Sequence, residues 1–178
     1  MSIVLTEILK GKRSVALSGH IRPDGDCVGS CMGLYLYLKE NFPQIKTDVY
    51  LEPVADCYTI VQGTEEIRHE IEAGTEYDLF ICLDCGDKAR LGFSAPLFES
   101  AGQTLCIDHH VSNEAFADFN HIVPDASSTS ELVYHLLEDA KIESCIARRL
   151  CIWGSPDDTG VFQYSCTSPE TMEAAANP

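Results

Sequence analysis

The chain has 178 residues, 45% of them hydrophobic, which is enough for one domain with a substantial core. It has no apolar run as long as a membrane span, and its N-terminal residues lack the basic region and cleavage site of a signal peptide. The net charge of −16 argues against binding to duplex DNA, which depends on basic side chains. We therefore expect one cytoplasmic domain that binds neither membranes nor long nucleic acid.

Four segments have the composition of β-strands. One of them, 77–84, is almost continuously apolar, as expected for a strand covered on both faces. The four predicted strands are 14–18, 46–51, 77–84 and 103–108.

Helical patterns alternate with these strands. Ser128-Thr129-Ser130-Glu131 matches a capping box, and Ser168-Pro169 places a good N-cap before a proline in the first turn. The predicted helices are 28–39, 65–73, 94–101, one beginning after Ser128, 143–151 and one beginning after Ser168. The alternation predicts an α/β fold, with a mainly parallel sheet and helices on both faces.

Nine cysteines are scattered along the chain, and several fall within predicted strands or helices. We interpret them as reduced, buried, small hydrophobic side chains. Cys82 and Cys85 form a Cys-x-x-Cys pair, but this pair ends a strand instead of opening a helix, and no second such pair completes a zinc cage. The pattern therefore predicts neither a redox nor a zinc role for the pair.

Three of the predicted strands lead into residues that can bind metal ions. Ligand sites of parallel sheets lie beyond the carboxyl ends of the strands, so these residues should lie close together. Imidazole and carboxylate groups are the ligands of divalent-metal hydrolases. The candidates at the strand ends are His20, Asp24, Asp26, Asp84, Asp108, His109 and His110.

The charges of these candidates indicate two ions. With Asp158, which lies further along the chain, four aspartates would share one cleft and repel each other without cations. Two divalent ions match that charge, and His20 and His109 complete a mixed set suited to manganese. Asp84 ends a central strand and can bridge the two ions.

The remaining candidates have supporting roles. His109 and His110 are adjacent and point to different sides, so one can bind metal while the other faces substrate or solvent. Asp108 can orient a histidine. Ser30 opens the helix after the first loop, where free backbone N–H groups favour an anion or a capping carboxylate, and Ser30 is the candidate for binding the substrate. Each motif has an ordinary structural explanation by itself, but their joint order at strand ends favours function.

Together these residues resemble the DHH phosphoesterase superfamily. The resemblance covers essentially the whole chain, and the segments 161–165 and 167–169 resemble the branch of bifunctional oligoribonucleases and 3′-phosphoadenosine 5′-phosphate phosphatases. The matching motifs are His20-x-x-Pro-Asp24-Gly-Asp26-x-x-Gly29-Ser30, Asp84, Asp108-His109-His110, the segment 127–131 and Asp158-Thr159-Gly160.

The resemblance implies a phosphoesterase with two manganese ions. One ion would be held by His20, Asp24 and Asp84, and the other by Asp26, Asp84, His109 and Asp158. His110 would contact the scissile phosphate or assist the leaving group.

Short oligoribonucleotides, linear dinucleotides or 3′-phosphoadenosine 5′-phosphate are the implied substrates. The alternatives are an inorganic pyrophosphatase or exopolyphosphatase of the same superfamily, and a domain that binds metal or nucleotide without turnover. The possibility of a homodimer stays open.

Two features depart from the family pattern. Ser155, Pro156 and Asp157 precede the last motif where small and apolar residues are expected, so Asp157 competes with Asp158 as the last metal ligand. The family continues into a smaller substrate-binding domain, whereas this chain ends at Pro178. We therefore expect residues 1–178 to be a DHH catalytic domain without its C-terminal partner, and expect weak or no hydrolysis by this chain alone.

Overall fold

Five parallel strands form one sheet in the computed structural model, which describes residues 3–139 and 167–176. Their order across the sheet is β2-β1-β3-β4-β5, and every neighbouring pair is parallel. The strands are β1 Ser14–Ser18, β2 Lys46–Tyr50, β3 Leu79–Leu83, β4 Thr104–Asp108 and β5 Phe119–Ile122. The predicted parallel α/β fold is confirmed.

Helices cover both faces of this sheet. Alternate residues of each strand point to opposite faces, so each face has its own hydrophobic core. Leu17 and Ile81 belong to the core under α2 and α4, whereas Phe80 belongs to the core under α3 and packs against Phe98 with ring centroids 5.6 Å apart. In the described residues the helices are α1 Leu5–Leu9, α2 Gly25–Asn41, α3 Ala95–Ser100, α4 Thr129–Asp139 and α5 Pro169–Ala176.

The strand order creates a crevice at one edge of the sheet. From β1 the chain moves outward to β2 and then crosses to β3 on the other side of β1. The connections therefore diverge beyond the carboxyl ends of β1 and β3, and ligands of open α/β sheets bind at such switch points. His20 follows β1 and Asp84 follows β3, so both lie at this crevice.

Two predicted helix starts are confirmed in their capping contacts. The hydroxyl of Ser128 accepts the N–H of Glu131 at 3.0 Å at the start of α4. The hydroxyl of Ser168 accepts the N–H of Thr171 at 3.1 Å at the start of α5. Each contact satisfies one of the backbone donors that a helix N-terminus leaves without a helical partner.

The predicted helix at 65–73 is wrong. Only the 3₁₀ turn Thr64–Glu66 forms there, and the chain then runs beside β2. The Arg68 N–H donates to the carbonyl of Val49 at 2.8 Å, and its guanidinium pairs with Asp48 at 2.9 Å. These tertiary contacts outweigh the weak local helical pattern.

Other differences are smaller. Helix α1 and strand β5 were not expected from the pattern, and β5 is an edge strand in which Phe119 is exposed and the other residues are partly buried. The predicted helix at 143–151 lies outside the described residues. Of the six described cysteines, all are free and all but Cys57 are buried. In the same part of the chain, no helix has both the length and the hydrophobicity to span a bilayer.

Candidate metal centre

The carboxylate of Asp84 lies at the centre of the candidate site. Asp84 follows β3 directly, is 2% exposed, and has a φ of 52° in the left-handed region, which aspartate tolerates better than most residues. Its Oδ2 lies 3.4 Å from Nε2 of His20. Its Oδ1 lies 3.8 Å from Nε2 of His109 and 3.7 Å from Nδ1 of His110. The two oxygens of Asp84 therefore face histidines from two different loops.

His20 lies between two carboxylates. Its Nδ1 donates to the carbonyl of Ile21 at 2.8 Å, which directs Nε2 toward Asp24 and Asp84, each 3.4 Å away. Burial opposes a charge on the ring, but the hydrogen bonds to Asp24 and Asp84 outweigh it and raise the pKa of His20 to about 11. This position therefore favours a positive charge, either a proton or a metal ion.

Asp24 and Asp26 bracket the start of α2. Asp24 is its N-cap and accepts the Cys27 N–H at 3.1 Å, while half of its side chain stays exposed. Asp26 is fully buried and accepts the N–H groups of Thr129 and Ser130 at 2.8 and 2.7 Å. The two aspartates of one loop thus point in different directions.

His109 and His110 point to different partners. Nδ1 of His109 lies 3.3 Å from the carbonyl of Ala126, and its Nε2 lies 3.8 Å from Oδ2 of Asp26. Nδ1 of His110 donates to Asp108 at 2.7 Å. This hydrogen bond to the Asp108 carboxylate raises the pKa of His110.

Asp108 is fully buried beneath His110. It also accepts a hydrogen bond from the amide of Asn113 at 2.6 Å. Burial favours the neutral acid, but the contacts with His110 and Asn113 outweigh it and lower the pKa of Asp108. Gly86 makes room for the histidine, since a Cβ at this position would lie 3.0 Å from that of His110.

The donor set fits divalent cations. Two ligand atoms that share one ion at about 2.1 Å, with angles of 90–110°, lie about 3.0–3.4 Å apart. The histidine–carboxylate separations of 3.4 Å around His20 agree with this range, and those of 3.8 Å around His109 exceed it only slightly. A histidine ligand usually binds the metal through one ring nitrogen while its other ring nitrogen donates to a carbonyl or carboxylate.

The structure brings six of the predicted site residues to one crevice: His20, Asp24, Asp26, Asp84, His109 and His110. Asp108 supports His110 from below. The hydroxyl of Ser30 is buried and donates to the carbonyls of Asp26 and Cys27, which lie 2.7 and 3.2 Å away. Because this hydroxyl is engaged within its own helix, a contact between Ser30 and substrate stays a prediction. Asp157 and Asp158 lie outside the described residues, and the choice between them stays open.

Three residues of the centre were not predicted from the sequence. The hydroxyl of Thr129 donates to Asp84 at 3.3 Å, Asn113 holds Asp108, and a donor atom of Cys27 lies within 4.8 Å of those of His20 and Asp84. Thr129 belongs to a segment that matches the family, and this was the available signal for it. Asn113 and Cys27 reach the centre only through the tertiary fold.

Comparison with known proteins identifies the family of the chain. The model of the DHH family, N-terminal domain, matches residues 14–152. The protein named bifunctional oligoribonuclease and PAP phosphatase NrnA of Bacillus subtilis is 27% identical over 166 residues, covering 91% of this chain and 51% of the relative. The protein of the same name from Thermus thermophilus is 27% identical over 178 residues, covering 97% and 52%.

A solved structure is also similar. The crystal structure of an exopolyphosphatase-related protein from Bacteroides fragilis matches with a TM-score of 0.87 and 26% identity, covering 97% of this chain and 54% of that one. The chain thus spans about half the length of the relatives it matches. Both the resemblance expected from the motifs and the fold are confirmed, and the chain belongs to the DHH phosphoesterase family.

Proposed function

We propose that the protein hydrolyses phosphoesters with two divalent ions, manganese by preference. The substrates are short oligoribonucleotides, linear dinucleotides or 3′-phosphoadenosine 5′-phosphate. The observation that carries this proposal is the position of Asp84, whose Oδ2 faces His20 while its Oδ1 faces His109 and His110. A carboxylate in this position can bind one ion with each oxygen.

The ligands divide between the two sides of Asp84. His20 and Asp24 would hold one ion with Asp84, and Asp26 and His109 would hold the other, joined by Asp158 or its competitor. When bound, the ions lower the pKa of water and neutralise charge on the phosphoryl oxygens. A chain of net charge −16 needs such cations before it can accept a phosphate at a site rich in carboxylates.

His110 is suited to hold and donate a proton. Asp108 accepts from its Nδ1 at 2.7 Å and raises the pKa of the ring, which favours a second proton on Nε2. One third of the His110 side chain is exposed, which allows it to reach a bound substrate. We infer that His110 donates its Nε2 proton to the leaving-group oxygen, and that Asp108 and Asn113 hold the ring in place.

A cleft of about 370 Å³ adjoins His110 across Gly86, and its size suits a nucleotide. Phe116 offers a ring for stacking with a base, and the ammonium of Lys88 pairs with Glu99 beside the cleft. The lining residues are Gly86, Asp87, Lys88, Ser112, Glu114 and Phe116.

The names of the relatives support two substrate classes. Two relatives are named as oligoribonucleases and PAP phosphatases, which agrees with the aromatic side chain in the cleft. The similar solved structure is described as exopolyphosphatase-related, and this favours hydrolysis of pyrophosphate or polyphosphate as the second candidate.

One assay distinguishes these functions. The chain is given a diadenylate, 3′-phosphoadenosine 5′-phosphate or pyrophosphate, each with manganese and again after chelation. We expect weak manganese-dependent release of nucleotide or phosphate from the first two, since the chain spans about half the length of its relatives. This release should be lost in Asp84→Asn, because a neutral amide bridges two cations poorly. Turnover of pyrophosphate alone would establish the second candidate. Binding of manganese with no turnover of any substrate would contradict both.

A further inference from the structure

Thr129 contacts both carboxylates that face His109. It is the first residue of α4 and is fully buried. Its N–H donates to Oδ2 of Asp26 at 2.8 Å, and its hydroxyl donates to Oδ1 of Asp84 at 3.3 Å. These are the same two oxygen atoms that lie 3.8 Å from Nε2 of His109. One residue therefore holds both carboxylate oxygens on the His109 side of Asp84.

The hydroxyl of Thr129 acts on one side of Asp84 only. It forms no other hydrogen bond with the described residues, and a buried hydroxyl without a partner is costly, so this contact fixes the Thr129 side chain. The other oxygen of Asp84, Oδ2, faces His20 at 3.4 Å. A carboxylate oxygen has two lone pairs, so Oδ1 can accept from the hydroxyl and still bind a cation.

Helix capping explains only half of the contacts of Thr129. Its N–H belongs to the first turn of α4, and Asp26 accepts it as it accepts the N–H of Ser130. The hydroxyl is not needed for that cap, since any residue except proline would offer the same N–H. The contact of the hydroxyl with Asp84, 45 residues earlier in the chain, instead orients that carboxylate.

We propose that Thr129 is a positioning residue for the ion on the His109 side of the centre. Its hydroxyl holds Oδ1 of Asp84, and its N–H holds Oδ2 of Asp26, so that both oxygens and the imidazole can bind one cation. Groups that orient metal ligands by hydrogen bonds raise the affinity for the metal, and their loss typically weakens binding about ten- to a hundredfold. The inference rests on the two-ion centre proposed above and makes one of its two ion positions depend on Thr129.

Titration with manganese alone, followed by calorimetry, tests this role without substrate. Thr129→Val removes the hydroxyl but keeps the shape of the side chain and the backbone N–H. The wild-type chain should bind two ions, and Thr129→Val should bind one of them about ten- to a hundredfold more weakly while the other keeps its affinity. Thr129→Ser retains the hydroxyl and should restore both ions. Thr129→Ala should weaken the same ion as valine does, which guards against a packing defect caused by valine alone.

Thr104→Val is the matched control. Thr104 is also buried, and its N–H and hydroxyl both donate to one carboxylate, that of Asp118, at 2.9 and 3.0 Å. It is the first residue of β4, whereas the metal centre lies beyond the other end of that strand. Thr104→Val should therefore bind both ions as the wild type does, although it also loses a buried hydroxyl that donates to an acid.

Electron paramagnetic resonance of the manganese-loaded chain gives a second readout. Two manganese ions that share a carboxylate are magnetically coupled, which broadens the spectrum, whereas a single bound ion shows resolved hyperfine lines. At the same manganese concentration, the coupled signal of the wild type should give way to the single-ion signal in Thr129→Val. Unchanged binding of both ions in Thr129→Val, equal weakening of both, or a loss that serine does not restore would overturn the assignment.

Turnover measured on the same samples separates this inference from the proposed function. Selective weakening of one ion in Thr129→Val, together with no hydrolysis of any substrate by the wild type, removes only the proposed function. Manganese-dependent hydrolysis by the wild type, together with unchanged binding of both ions in Thr129→Val, removes only the role of Thr129.

Discussion

The substitution Asp26→Asn tests whether one carboxylate serves both the metal centre and the fold. Asp26 is fully buried on α2 and accepts the N–H groups of Thr129 and Ser130 at 2.8 and 2.7 Å. The side chain and carbonyl of Ser128 accept the next two N–H groups of α4 at 3.0 and 3.4 Å. The first turn of α4 therefore has all its donors satisfied, two of them by a residue on another helix.

An asparagine at this position can accept only one of the two N–H groups, and its own NH₂ group would face the other. Loss of a hydrogen bond to a charged acceptor costs about 1.5–3 kcal/mol, and a buried N–H without an acceptor costs about 1–3 kcal/mol. Relief of repulsion between Asp26 and the other carboxylates of the centre offsets part of this cost. We expect the free energy of unfolding, without metal, to fall by roughly 3 kcal/mol in Asp26→Asn.

Asp24→Asn is the matched control. Asp24 is half exposed, and its side chain caps α2 through the single N–H of Cys27. Asparagine caps helices as well as aspartate does, and the ion pair of the half-exposed Asp24 with His20 contributes about 1 kcal/mol or less, so this variant should lose about 1 kcal/mol. Both variants should bind manganese more weakly. Urea unfolding in chelator, followed by circular dichroism, measures the difference, and equal unfolding free energies for the two variants would refute the capping role of Asp26.

Three more outcomes concern cations, acid and packing. Manganese at a hundred times its dissociation constant should stabilise the chain by about 2.7 kcal/mol, and a melting temperature unchanged by millimolar manganese would count against the centre. Burial favours the neutral form of Glu131, but the hydrogen bonds that its carboxylate accepts, first among them that from His135, lower its pKa to about 2. A carboxyl with a lowered folded-state pKa stabilises the fold above its unfolded pKa of about 4.3. The free energy of unfolding should therefore fall by about 3 kcal/mol between pH 4.5 and pH 2. A difference in unfolding free energy between wild type and Glu131→Gln that does not shrink with acid would contradict this. Gly86→Ala should displace His110 and lower turnover at least tenfold while cation binding persists, and normal turnover would show that the close contact is unimportant.

The parts of the site that could be predicted from the sequence are those carried by local pattern and by the rules of parallel sheets. β3 is a run of five buried residues, which marks it as a strand covered on both faces. Because parallel strands share one carboxyl edge, the residues that follow β1, β3 and β4 had to lie near one another. The sequence alone was therefore enough to group His20, Asp84 and His109. Local sequence patterns also predicted the serine caps of α4 and α5.

Long-range contacts were decided only by the tertiary structure. Asp26 caps a helix that begins 103 residues further along the chain, and Asn113 holds Asp108 through a turn that no periodicity signals. The segment 65–73 has a helical composition, but Arg68 pairs with β2 instead. Cys27 belongs to the core under α2, as composition predicts, but only the packing of α2 against Gly19 brings its sulfur within 4.8 Å of donor atoms of His20 and Asp84. Local sequence determines which helices and strands form and which polar residues lie at their ends. The partner of each buried polar group depends instead on how these elements pack, because a hydrogen bond or metal contact acts over a few ångströms in space and not along the chain.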